Sequence, residues 1–150
     1  MALIACNSSP SSMDPTESDS IRSGGNRLIR IDDKYNVWTK KIGDGNIKVL
    51  LLHGGPGFSH DYMECFEDFL PESGMEIYHY DQLGCGNSDV PADTSLWTIP
   101  RYVEEVEQVR QGLGLDKFYI VGHSWGALLA MEYLAKYQSH VRIDYEFQAF

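Results

Sequence analysis

An α/β layer architecture, a mostly parallel sheet flanked by helices, is the fold class this sequence predicts. Three observations carry that reading. Apolar runs such as Val49-Leu50-Leu51-Leu52 and Phe118-Tyr119-Ile120-Val121 are continuous, as in strands buried on both faces. Segments with apolar residues at helical spacing separate those runs. The connections are rich in glycine and polar residues, and strands alternating with helices return through right-handed crossovers. At 150 residues, with 43% hydrophobic and 23% charged, one globular domain is expected. A chain of that size buries roughly two-thirds of its unfolded surface.

Residues 1–25 are Ser-rich and acidic, and a disordered tail is expected there. Ala2-Leu3-Ile4-Ala5-Cys6 is apolar but too short for a secretory core, and no basic residue precedes it. Asp14, Glu17 and Asp19 argue against a transit peptide, so a cytosolic address is expected. Two short strands follow, carrying Leu28, Ile29 and Ile31, then Tyr35, Val37 and Trp38, on either side of Asp32-Asp33. The turn signal Gly43-Asp44-Gly45-Asn46 leads into a buried strand, Ile47 to Leu52. Tyr62, Phe66, Phe69 and Leu70 repeat at helical spacing and end before Pro71 and Gly74. Met75 to Tyr80 is a strand, closed by the Gly-rich run Asp81 to Ser88.

Thr98 is placed to cap the next helix, with Pro100 in its first turn and Tyr102, Val106, Val109 and Leu113 as its buried stripe. Gly112 and Gly114 are expected to stop it. After the strand Phe118–Val121, a sharp Gly-flanked turn opens a helix from about Gly126 to Tyr137, with Glu132 and Lys136 as a surface pair.

Twelve Lys and Arg against 22 Asp and Glu give a net charge of −10. Such a field repels phosphate backbones and anionic lipid, so no nucleic-acid partner and no membrane partner is expected. Cys6, Cys65 and Cys85 are an odd number at long spacings, which argues against a disulfide framework. His53, His60, His79, His123 and His140 form no i, i+4 ligand pair, and no metal is expected.

Two constellations carry chemistry. Gly122-His123-Ser124-Trp125-Gly126 is a GxSxG pattern that follows a strand and opens a helix, the context a nucleophile elbow requires. Such a tight corner leaves no room for side chains at Gly122 and Gly126. It holds Ser124 in a strained conformation with its hydroxyl projecting from the sheet. The following helix aims its N-terminal N–H groups at the same spot. The second constellation, His53-Gly54-Gly55-Pro56-Gly57, comes directly after a buried strand. Acyl transfer needs two donors where the carbonyl oxygen becomes negative, and the N–H groups of Trp125 and Gly55 are the candidates. Pro56 stiffens that loop. His123 cannot readily be the base for Ser124, because neighbours on such a corner point apart; it lines a pocket or packs. Cys85 reads as a small loop residue, not a nucleophile.

The elbow and the glycine loop together imply an α/β-hydrolase fold. The spellings HGGPG, DQLGCGNSD (Asp81 to Asp89) and GHSWG resemble the proline iminopeptidases over about residues 27–138. His123 departs from that family's more frequent GGSWG. The resemblance implies a serine exopeptidase without a cofactor, acting on peptides with a free N-terminal proline or small residue. Ser124 would be its nucleophile, Gly55 and Trp125 its oxyanion donors, and Gly54, Pro56 and His123 would line the substrate pocket. Another α/β-hydrolase activity (esterase, amidase) and a non-catalytic receptor or fragment are the alternatives; epoxide hydrolysis needs a carboxylate where Ser124 stands.

On this fold the triad runs Ser, then Asp or Glu, then His. Only 26 residues follow Ser124, and His140 precedes Asp144 and Glu146, the wrong order and too soon. The expectation is therefore the N-terminal half of an α/β-hydrolase fold, residues 26–140, without cap domain or later strands and inactive as it stands. Residues 141–150, where Val141, Ile143, Tyr145 and Phe147 alternate with polar residues, form an atypical C-terminal tail.

Overall fold

The structure, a computed structural model, describes residues 25–142. The expected N-terminal tail lies outside the described residues except for Gly25, and so does the C-terminal tail beyond Arg142.

Five strands form one sheet: β1 Asn26–Ile31, β2 Tyr35–Ile42, β3 Ile47–Leu52, β4 Met75–Tyr80 and β5 Tyr119–Gly122, in the order β1-β2-β4-β3-β5. The sheet is mixed. β4, β3 and β5 run parallel, while β2 pairs antiparallel with both β1 and β4. The parallel expectation thus holds for the three strands that carry the functional loops, and a hairpin extends the sheet on one side. Asp32 and Asp33 close that hairpin with φ of 52° and 50°, the mirror-image turn that a right-twisted strand pair favours.

The continuous apolar run of β3 follows from its position between two parallel neighbours. Leu50 and Leu52 join the larger core with Val106, Phe118, Leu129 and Tyr133. Val49 and Leu51 face the other way, onto Met63 and Ile77. Helices α1 (Ile99–Leu113) and α2 (Trp125–Tyr137) cover the first face.

Several local expectations are corrected. The segment after β3 is a 3-10 helix, Asp61–Asp68, with a further 3-10 turn at Pro71–Ser73. At three residues per turn, Met63 and Phe66 share the face toward the sheet. Phe69 is left exposed and Tyr62 turns away from that core. Thr98 occupies the N-cap of α1 with extended backbone, but its hydroxyl makes no capping bond. Gly112 lies inside α1, where a Cβ would come 2.5 Å from Ile29 Cγ2; Gly114, at φ 70°, ends the helix. Lys136 reaches across to Glu104 of α1 and not along its own helix to Glu132. Val141 makes one parallel bridge to Phe118, so the chain returns alongside β5.

Candidate active site

Both predicted corners leave the C-terminal ends of adjacent parallel strands, since Leu52 is in register with Gly122. The corner after β5 is as tight as the sequence requires. A Cβ on Gly122 would sit 2.4 Å from the Gly126 carbonyl oxygen, and one on Gly126 would sit 2.0 Å from the Leu52 carbonyl oxygen. Ser124 takes φ 54° and ψ −115°, a left-handed backbone that only this enclosure explains. Its side chain is exposed, and among the described residues nothing hydrogen-bonds to its hydroxyl.

The corner after β3 presses against the elbow. His123 N–H donates to the Leu52 carbonyl at 3.1 Å. A Cβ on Gly54 would meet His123 Nδ1 and the Tyr62 hydroxyl, each at 3.1 Å. Gly54 N–H is already committed to the Tyr62 hydroxyl at 2.6 Å, and that hydroxyl reaches His123 Nδ1 at 3.0 Å. The N–H groups of Gly55 and Trp125 have no acceptor among the described residues. Gly55, at φ 125°, must be glycine, because a Cβ would lie 2.5 Å from Gly57 N.

Behind the corners lies a network that sequence reasoning did not assign. Gln82, fully buried, donates its backbone N–H to His53 Nε2 at 2.9 Å and its side-chain N–H to the His53 carbonyl at 3.0 Å. Its side-chain oxygen accepts the Trp125 indole N–H at 2.8 Å. His53 Nε2 is thereby an acceptor, so its proton sits on Nδ1, which donates to the Gly54 carbonyl at 2.9 Å. Burial lowers the His53 pKa and keeps the ring neutral, as this pattern demands. Asp81, also buried, accepts from His60 N–H and His60 Nδ1, each at 2.8 Å, and from Asn87 N–H at 2.9 Å. It thereby fixes the loop that follows β4. Only the position of Asp81-Gln82 at the end of an apolar strand hinted at these roles.

A cleft of about 470 Å³ opens beside the corners, walled by Pro56, Leu83, Trp97, Ile99, Tyr102 and Trp125. Of the three residues expected to line a pocket, Pro56 borders this cleft, whereas Gly54 and His123 meet at Tyr62. Cys85 is a buried residue of the same wall, its thiol pKa raised by burial, as a packed loop cysteine requires.

Residues 48–142 match the α/β-hydrolase fold family, and the chain belongs to it. Within that family its similarity is to proline iminopeptidases. It is 56% identical to the proline iminopeptidase of Flavobacterium johnsoniae over 112 residues, which are 73% of this chain and 38% of that protein. It is 42% identical to that of Saccharolobus solfataricus over 123 residues, 81% of this chain and 39% of the relative. The crystal structure of the Mycobacterium smegmatis proline iminopeptidase superposes with a TM-score of 0.72 at 30% identity, covering 77% of this chain and 41% of that one. The chain thus spans about two-fifths of the length of the relatives it matches.

Proposed function

We propose that this chain supplies the nucleophile and oxyanion half of a serine aminopeptidase that releases N-terminal proline from peptides. In this reading Ser124 Oγ attacks the carbonyl carbon of the N-terminal residue and gives its proton to a base. The N–H groups of Gly55 and Trp125 take the negative oxygen, and the base passes its proton to the nitrogen of the shortened peptide, which leaves as an amine. Water then frees proline from the acyl-enzyme. The observation that carries the proposal is the pairing of an exposed Ser124 at φ 54° with two abutting corners. Each corner keeps one backbone N–H without an acceptor among the described residues. The apolar cleft walled by Pro56, Trp97 and Trp125 suits a compact ring such as proline. The 56% identity to a proline iminopeptidase supports the same substrate class.

No described side chain activates Ser124, so the base must come from residues other than those described. The test uses two molecules. The chain alone is expected to remain unlabelled by a fluorophosphonate. The chain continued by the C-terminal segment of the Flavobacterium johnsoniae relative is expected to be labelled and to release naphthylamine from proline β-naphthylamide, with both activities lost in Ser124→Ala. Hydrolysis of p-nitrophenyl acetate without release of proline would move the protein to the esterases.

A further inference from the structure

We propose that Gln82 is a positioning residue for the oxyanion site, a strap that holds the two corners at a fixed separation. The inference rests on the function proposed above and extends it to a residue remote from the reacting atoms. Geometry carries it. One corner contributes the N–H of Gly55, the other the N–H of Trp125, and they belong to loops after different strands. Backbone hydrogen bonding joins those loops only at their base, where His123 N–H meets the Leu52 carbonyl. Further out, Gln82 is bonded to both. Its amide nitrogen holds the His53 carbonyl, two residues before Gly55, and its amide oxygen holds the indole of Trp125. Its own backbone N–H fixes the His53 ring, and that ring fixes the Gly54 carbonyl. Every polar atom of the Gln82 side chain that can bridge the corners does so, and Gln82 and His53 are each only 1% exposed.

The chemistry requires glutamine. The strap needs a donor toward a carbonyl and an acceptor toward an indole N–H from one planar group. Glutamate would face the His53 carbonyl with a second acceptor, and methionine would fill the space with neither function. The Gln82–His53 bond is buried and the Gln82–Trp125 bond half-buried, so losing the amide leaves the His53 carbonyl unpaired and the indole N–H open to the cleft. The corners would then keep the Leu52–His123 bond and the Tyr62 hydroxyl between Gly54 and His123, but no hydrogen bond among the described residues would hold the Trp125 indole. Displacements near 1 Å in such a site cost on the order of 100-fold in rate.

Two measurements test this. In the chain itself, the Trp125 indole N–H should exchange slowly with solvent and shift downfield in proton–nitrogen spectra. Gln82→Met should speed that exchange at least tenfold while the dispersion of the remaining amides persists. An unchanged indole signal in Gln82→Met overturns the strap, and this readout needs no turnover. In the folded chain extended with the Flavobacterium johnsoniae C-terminal segment, Gln82→Met and Trp125→Phe should each lower kcat for proline β-naphthylamide about 10-fold to 100-fold. For Gln82→Met, KM should stay within about twofold. The double variant should be no slower than the slower single, since both break one bridge.

If the unsubstituted extended protein folds and turns nothing over, the peptidase reading falls and the strap with it. If it turns over and Gln82→Met matches it, the strap alone falls. A loss of rate that merely tracks the fraction of folded, phosphonate-titratable protein would make Gln82 a stability residue and also overturn the proposal.

Discussion

Ser124 holds φ at 54° and ψ at −115°, a backbone that serine adopts only under constraint. Such conformations cost on the order of 1–3 kcal/mol, and glycine largely escapes the cost. The constraint is visible around it: Gly122 and Gly126 admit no Cβ, because main-chain oxygens stand 2.4 Å and 2.0 Å from where one would lie. The strain fixes where the hydroxyl projects. It also yields a prediction in which chemistry and stability move in opposite directions. Ser124→Gly should be more stable than Ser124→Ala by at least about 1 kcal/mol in urea denaturation, because glycine escapes the strain and is also the better of the two at an N-cap. Neither variant should react with a fluorophosphonate in the extended protein. Equal stabilities would mean that the corner relaxes without strain and that the serine is not held for use.

At the scale of elements, α1 and α2 are joined by a polar knot at Glu107. Its carboxylate accepts from Arg110 Nε at 2.9 Å and Nη2 at 2.8 Å, from Gln111 Nε2 at 2.7 Å, and from the Tyr133 hydroxyl of α2 at 2.8 Å. Burial alone would raise the carboxyl pKa, but the bonds from Arg110, Tyr133 and Gln111 outweigh it and bring the value down to about 2. A folded pKa below the unfolded 4.5 means that the contribution is complete above about pH 4.5 and is lost as pH falls toward 2. Glu107→Gln should therefore cost about 2 kcal/mol at pH 7, and the gap should narrow between pH 4.5 and 2.5 in urea midpoints. A gap independent of pH would show that the knot works through shape alone. The sequence announced α1 and α2 through their apolar spacing, but not this knot or the Lys136–Glu104 pair, because partners on different helices leave no periodic trace. The segment Asp61–Asp68 escaped for a different reason. At 3.6 residues per turn its spacing puts Phe69 at the core, whereas the backbone takes three residues per turn and places Met63 there. The corners were legible because glycine is forced wherever backbone meets backbone. Gln82 was not, since nothing local distinguishes a buried strap from a polar loop residue.

For the molecule as a whole, two terms compete at the end of the sheet occupied by β5. Among the described residues that strand has β3 as its ladder partner on one side. On the other side, the Phe118–Val141 bridge is what lies next to it among the described residues. Val121 is 38% exposed although it sits in a strand that its apolar run marks as interior. Leu128 and Met131 of α2 are exposed as well, Met131 at 61%. Apolar surface at the end of a sheet recruits other chains. Against that stands the net charge of −10, which makes two copies repel. The repulsion acts across solvent and is screened over about 8 Å at physiological salt, whereas the apolar contact is not screened. Adding salt should therefore favour association. In sedimentation velocity at tens of micromolar, the weight-average mass of this chain should rise between 20 and 300 mM NaCl. Val121→Lys, which puts a charge on the exposed strand, should suppress most of that rise. A monodisperse monomer at both salt concentrations would show that the β5 end is already covered by residues outside 25–142. An associating chain whose mass falls with salt would show that charge, and not apolar surface, holds the copies together.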